Sequence, residues 1–287
     1  LQADTGAFPG EVWFKCEFMQ HTGTFKARGA LNRILAAKER GVLDPAVGVV
    51  VASGGNAGLA NAYAAAQLGV PATVFVPAAA PAVKVKKLEA VGATVIQGGA
   101  EYAEAYQAAV AHAQRSGAVY CHAYDQLEIA AGAGTVGTEL LEQIAGVDTV
   151  LVAVGGGGLM AGIAAAVEGQ ARVVGVEPEN APTLHAALAA KEPVDVPVSG
   201  VAADSLGARR IGDIGFSVAV RTGVESVLVS DSDIATARSK LWNDYRLVVE
   251  HGAAAAYAAL TSGAYVPKPG ERVAVILCGA NTDPATL

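Results

Sequence analysis

No apolar run in the sequence approaches the ~20 residues that a membrane span needs, although 52% of the 287 residues are hydrophobic. The apolar residues come in short runs, so the chain is expected to be soluble and to have no membrane partner. Charge is scarce, at 16% of residues with a formal net charge of −7, and no block is rich in lysine or arginine. That argues against nucleic acid as a main partner, because neutralising phosphates needs clustered cations. Only three cysteines occur, Cys16, Cys121 and Cys278, far apart and without a Cys-x-x-Cys pair or a Cys/His cluster. Neither a disulfide framework nor a zinc site fits that pattern, and the thiols are read as reduced. No basic segment leading into an apolar one opens the sequence, so a cytoplasmic location is expected. Repeats of solenoid length and low-complexity tracts are also missing.

What is present is glycine, 34 residues of it, set between β-branched runs and alanine-rich stretches. "VGVVVA" leads through "SGGNAG" into "LANAYAAAQLG", and "TVLVAV" leads through "GGGG" into "LMAGIAAAVEG". "ATVFVP", "ATVIQG", "RVVGVE" and "VAVILCGAN" are further runs of strand length. Unbroken apolar strands alternating with helices predict parallel sheets covered on both faces, an α/β fold. In such sheets ligands collect beyond the carboxyl ends of strands. Three turns qualify: Ser53 to Asn56, Gly155 to Gly158, and Cys278 to Asn281.

The glycine quartet lets backbone N–H groups converge on an anion, helped by the positive end of the following helix. A second reading competes. Gly156, Gly158 and Ala161 satisfy G-x-G-x-x-G/A, and Glu177 ends the next strand where a dinucleotide fold places its ribose carboxylate, as in an NAD-dependent dehydrogenase. Against it, the match lies in mid-chain and leaves unexplained the lysine of "TGTFKARGA", Lys26. "SGGNAG" offers a hydroxyl, an amide and helix-start N–H groups suited to a carboxylate.

"KCEFMQHTGTFKARGA", "SGGNAGLANAYAAAQLGVPATVFVP", "GAGTVGTELLEQI", "GGGGLMAGIAAAV" and "CGANTD" occur here in the order and at the spacing of the fold-type II pyridoxal-phosphate enzymes. The resemblance covers nearly the whole chain and is greatest to the serine/threonine dehydratases. It implies two open, mostly parallel twisted sheets with helices on both faces, similar to the tryptophan synthase β fold. It also implies a large cofactor-binding domain from residues 1–44 and 130–287, a small mobile domain from residues 45–129, and a homodimer. Lys26 would carry pyridoxal 5'-phosphate, with Phe25 against the ring. The N–H groups of Gly155, Gly156, Gly157, Gly158 and Leu159 would hold its phosphate, Asn56 its ring hydroxyl, and Cys278 would face its ring nitrogen. Ser53, Gly54, Asn56 and Ala57 would form the substrate-carboxylate loop.

The activity implied is β-elimination: Lys26 takes the α-proton of L-serine or L-threonine, and pyruvate or 2-oxobutyrate leaves with ammonia. Racemases of the family carry a serine where this chain has Gly54, so elimination without efficient racemisation is expected. Other family activities stay open, among them hydroxyaspartate or phenylserine dehydration, serine racemisation and β-replacement. "EPENAPT" matches a family cation site through Glu177, the Ala181 carbonyl and Thr183, which suits a monovalent cation such as K+ over Mg2+. His21 and His251 depart from the family pattern near the expected pocket. His112, His122 and His185 form no usable spacing. The regulatory extension of biosynthetic threonine dehydratases has no counterpart, so isoleucine control is not expected on this chain.

Overall fold

A computed structural model describes residues 1–3, 6 and 8–287. In chain order its regular elements begin with β1 (Glu11–Lys15), α1 (Lys26–Glu39), β2 (Val49–Ala52), α2 (Asn56–Gln67) and β3 (Ala72–Val76). Next come α3 (Ala82–Ala90), β4 (Thr94–Gln97), α4 (Tyr102–Ser116), β5 (Val119–Cys121), α5 (Leu127–Gln143) and β6 (Thr149–Ala153). The remainder are α6 (Gly158–Ala166), β7 (Arg172–Pro178), α7 (Thr183–Ala190), α8 (Asp213–Thr222), β8 (Glu225–Val229), α9 (Asp231–Tyr245), α10 (His251–Thr261) and β9 (Arg272–Ile276).

The chain divides into two compact units, one of residues 1–25 with 133–287, the other of residues 26–132. The larger holds a five-stranded sheet in the order β1-β9-β6-β7-β8, and the smaller a four-stranded sheet in the order β4-β3-β2-β5. Every pair of these strands is parallel. Central strands β2 and β6 are buried at every residue, while the edge strand β4 is largely exposed. That gradient is why β2 and β6 read as unbroken valine-rich runs.

Alanine does more than fill helices. In α10 every residue from Gly252 to Leu260 is buried, and the small side chains let this helix pack all round inside the larger core. Phe14 of β1 closes edge-to-face on Tyr245 and Tyr257, with ring centroids 5.1 and 5.3 Å away.

The expected domain boundary after residue 44 is placed differently, between Phe25 and Lys26. The reason lies in α1, whose buried Ala30, Ile34 and Ala37 share one apolar cluster with Val49 and Val51 of β2 and Ala60 and Ala64 of α2. The second boundary falls within α5, after Gly132 and not after residue 129. Among the described residues no helix is long and apolar enough to cross a membrane.

Candidate active site

Strand order locates the crevices. In the larger sheet the chain runs from β6 outward through β7 to β8, and β9 joins the other flank of β6. In the smaller it runs from β2 through β3 to β4, and β5 joins the other flank of β2. Loops leaving β6 and β9, and loops leaving β2 and β5, therefore flank the two switch points, where open parallel sheets bind ligands.

In the larger unit, the turn after β6 is held by its carbonyls. That of Gly155 accepts the Thr183 hydroxyl at 2.6 Å, that of Gly156 the Gly212 N–H at 3.1 Å, and that of Gly157 the Ala161 N–H at 2.8 Å. No N–H from Gly155 to Met160 has a protein acceptor among the described residues, although all of these residues but Gly156 are buried. Buried N–H groups are seldom left without an acceptor, so the loop is a cradle for an anion. Gly157, at φ 86°, holds the left-handed conformation from which α6 starts.

Across the switch point, Cys278 follows β9 and is 5% exposed. Its carbonyl accepts the Phe25 N–H at 3.1 Å, Thr24 bridges to Gly279, and the Gly23 carbonyl accepts the Ala280 N–H at 2.9 Å. Asn281 completes this seam by donating its Nδ2 to the Thr22 carbonyl at 2.9 Å. Thr22 has φ 67°, uncommon for a β-branched residue, and the seam holds it there. A Cβ at Gly279 would lie 2.5 Å from Glu250 Oε1, so that carboxylate would have to move. The segment leading to Lys26 is thus fixed to the segment carrying Cys278.

Glu177 has a task that was not expected of it. It is 0% exposed; Oε1 accepts the Leu184 N–H at 2.6 Å, and Oε2 accepts the His185 N–H at 2.8 Å and the Ser226 hydroxyl at 2.9 Å. The Thr183 hydroxyl lies 3.2 Å from Oε1, and the Ala181 carbonyl takes the Thr183 N–H at 3.1 Å. Burial pushes this carboxyl up from its ordinary value, against the pull of those donors. These bonds give Glu177 a structural task, the start of α7. No group of three His, Cys, Asp or Glu residues that could hold a metal occurs among the described residues. Glu177→Ala strands the buried Leu184 N–H and the part-buried His185 N–H and is expected to cost about 2 kcal/mol of stability. Thermal unfolding checks this. A wild-type midpoint raised by KCl or MgCl2, and insensitive to them in Glu177→Ala, would support the cation reading.

In the smaller unit, Lys26 opens α1 and its Nζ donates to the Ala123 carbonyl at 2.6 Å. Val51 of β2 pairs with Cys121 of β5, so Ser53 and Ala123, each two residues on, leave the same edge of the sheet. The Ser53 hydroxyl accepts the Gly55 N–H at 3.3 Å, and Asn56 opens α2. The Ala57 N–H, in the first turn, has no protein acceptor among the described residues. A Cβ at Gly54 would touch Val76 at 3.3 Å, and no side chain projects from that position.

The turn after β5 escaped the sequence reading. His122 Nδ1 accepts the N–H groups of Tyr124 at 3.1 Å and Asp125 at 2.8 Å. Gln126 braces the same turn, accepting the His122 N–H at 2.9 Å and donating to the Tyr120 carbonyl at 3.1 Å. Only its position at a switch point could have flagged it.

A sequence model of a family described as pyridoxal-phosphate dependent enzyme matches residues 1–279. An L-threonine ammonia-lyase of Geobacter sulfurreducens is 39% identical over 279 residues, 96% of this chain and 68% of that protein. A phenylserine dehydratase of Ralstonia pickettii is 37% identical over 293 residues, 99% of this chain and 87% of that protein. The structure of processed threonine deaminase isoform 2 from Solanum lycopersicum superposes with a TM-score of 0.90 at 29% identity, covering 97% of this chain and 77% of that one.

Proposed function

Because this chain belongs to the family of pyridoxal-phosphate-dependent enzymes, we propose that it is an ammonia-lyase. It converts L-serine, L-threonine or both into pyruvate or 2-oxobutyrate with loss of ammonia. The observation that carries the reading is the row of buried N–H groups from Gly155 to Met160, which lack a protein acceptor among the described residues and suit a phosphate. Lys26, with its amine at the carboxyl edge of a parallel sheet, and Cys278, a nearly neutral thiol, fit the cofactor's other two needs.

When bound, pyridoxal phosphate supplies an electron sink for the substrate's α-carbon. In this reading Lys26 would hold the cofactor through its amine, and that same amine is the group placed to take the α-proton as general base. Gly155, Gly156, Gly157, Gly158 and Leu159 would hold the phosphate through their N–H groups, and Phe25 would lie against the ring. Asn56 serves the ring hydroxyl. The Ser53 hydroxyl, Asn56 and the Ala57 N–H receive the substrate carboxylate at a helix start. Gly54 leaves the opposite side of the α-carbon without a second base, which favours elimination. The reading includes a homodimer, as the family resemblance implies, and a cytoplasmic location; light scattering checks the dimer. A monovalent cation held by Glu177, the Ala181 carbonyl and Thr183 is a further part of the proposal, checked by the KCl and MgCl2 comparison.

A panel of β-hydroxy amino acids, scored for 2-oxo acid and for product chirality, tests the proposal. L-Serine or L-threonine is expected to give 2-oxo acid with D-serine formed at least tenfold more slowly, a margin of about 1.4 kcal/mol. D-Serine accumulating as fast as pyruvate would sink it. The likeness to a phenylserine dehydratase over 99% of this chain supports a second reading, an aryl β-hydroxy substrate, and phenylserine belongs in the panel.

A further inference from the structure

We propose that His122 is a positioning residue for Lys26, acting through the turn it folds. The inference rests on the reading of Lys26 as the cofactor-bearing lysine. It starts from the fourth loop at the two switch points, the one after β5, which has no glycine and no catalytic motif.

An imidazole nitrogen that accepts two N–H groups carries no proton. Nδ1 of His122 accepts from Tyr124 and from Asp125, so the ring is neutral with its proton on Nε2. These two bonds curl residues 122–125 as an Asx side chain curls a turn, and the carbonyl at the turn's second residue, Ala123, faces Lys26 Nζ. The ring is held from several sides. Tyr124 meets it edge-on with centroids 4.7 Å apart, and Tyr106 of α4 and Tyr120 of β5 lie at 6.3 Å. A side chain seated by two backbone donors and three aromatic rings has one orientation, and so does the carbonyl it sets. Lys26, with four rotatable bonds, gains a fixed resting place on the crevice side of the sheet.

Protonation of Nδ1 would turn an acceptor of two bonds into a donor facing two donors. The groups facing the ring are Lys26 of α1, Tyr106 of α4, Tyr120 of β5, and Tyr124 and Asp125 of the turn. Burial holds the imidazole below its ordinary value, with Lys26 adding to the effect and Asp125 opposing it. A folded-state value below the unfolded one means that the turn's contribution is complete above about pH 6.5 and is lost as pH falls further.

The test compares wild type with His122→Leu, which has no acceptor, and His122→Asn, whose Oδ1 takes the place of Nδ1 and does not titrate. The readouts are the rate at which added pyridoxal phosphate becomes fixed to Lys26 by borohydride, read by mass spectrometry, its pH dependence, and thermal unfolding of the cofactor-free protein. His122→Leu is expected to load about tenfold more slowly while unfolding cooperatively, the equivalent of losing one to two net hydrogen bonds. His122→Asn is expected to load within about threefold of wild type and to lose the part of the acid limb below pH ~6.5 that is due to the imidazole. Leu loading at the wild-type rate, or Asn impaired as much as Leu, overturns the inference. If His122→Leu fails to fold, the Asn variant decides by the same criteria. A wild-type protein that takes no label on Lys26 defeats the reading of the lysine itself, a result distinct from either.

Discussion

Lys26→Ala is expected to abolish turnover, with a loss in kcat of at least about 10^4-fold, because one amine performs two tasks. In the proposed reading it holds the cofactor covalently, and it is the base at the α-carbon. No neighbour stands ready to replace it: Gly54 contributes no side chain, and His122 Nδ1 is committed to two backbone donors. Fold should survive the change. Lys26 is the first residue of α1, and the buried face of that helix is made by Ala27, Gly29, Ala30, Ile34 and Ala37. The measurements are 2-oxo acid release and borohydride-fixed label, with thermal unfolding as the control. Turnover within tenfold of wild type in Lys26→Ala would remove the lysine from the mechanism, whatever its other role.

Gly157→Ala is expected to weaken pyridoxal phosphate binding about 100-fold and to lower stability by about 2–4 kcal/mol. Two penalties combine at this residue. Its φ of +86° is a conformation that an L side chain resists, and a new Cβ would lie 2.8 Å from Ile211 Cγ1 and 3.2 Å from the Gly215 Cα. Relieving that clash moves the turn from which α6 starts, and with it the N–H groups that converge on the phosphate. Gly169 is the matched control, with φ +75° and nothing within 4 Å of its would-be Cβ. Gly169→Ala should cost about 1 kcal/mol and leave cofactor affinity unchanged. Equal affinity losses in the two variants would mean that the glycine cradle does not bind the phosphate.

The parts of the site made of backbone were the legible ones. Glycines after β2, β6 and β9 announce turns at the carboxyl ends of parallel strands, and the structure has turns there. The parts that depend on a side chain's partners were not. Nothing in the sequence says that Glu177 at the end of β7 accepts from Leu184, His185 and Ser226. His122 looks idle until its Nδ1 meets two N–H groups. The assignment of α1 to a compact unit is hidden for a related reason. The buried face of α1 has the same helical period whichever sheet it covers, and only the shared cluster with β2 and α2 assigns it to residues 26–132.

The seam joining Thr22–Phe25 to Cys278–Asn281 also orders events in time. Residues 26–132 form a continuous stretch and can close their core while the ribosome is still at work. The strand β1 pairs in parallel with β9, about 260 residues further on. At roughly 5–20 residues per second, the amino-terminal segment waits on the order of half a minute for its partner. Its exposed edge in that interval is a place for a chaperone to hold or for a neighbouring nascent chain to pair wrongly. Phe25, which precedes the lysine, and Cys278 are joined only when the last strand is made, so in the proposed reading a half-made chain has no complete centre with which to capture the cofactor.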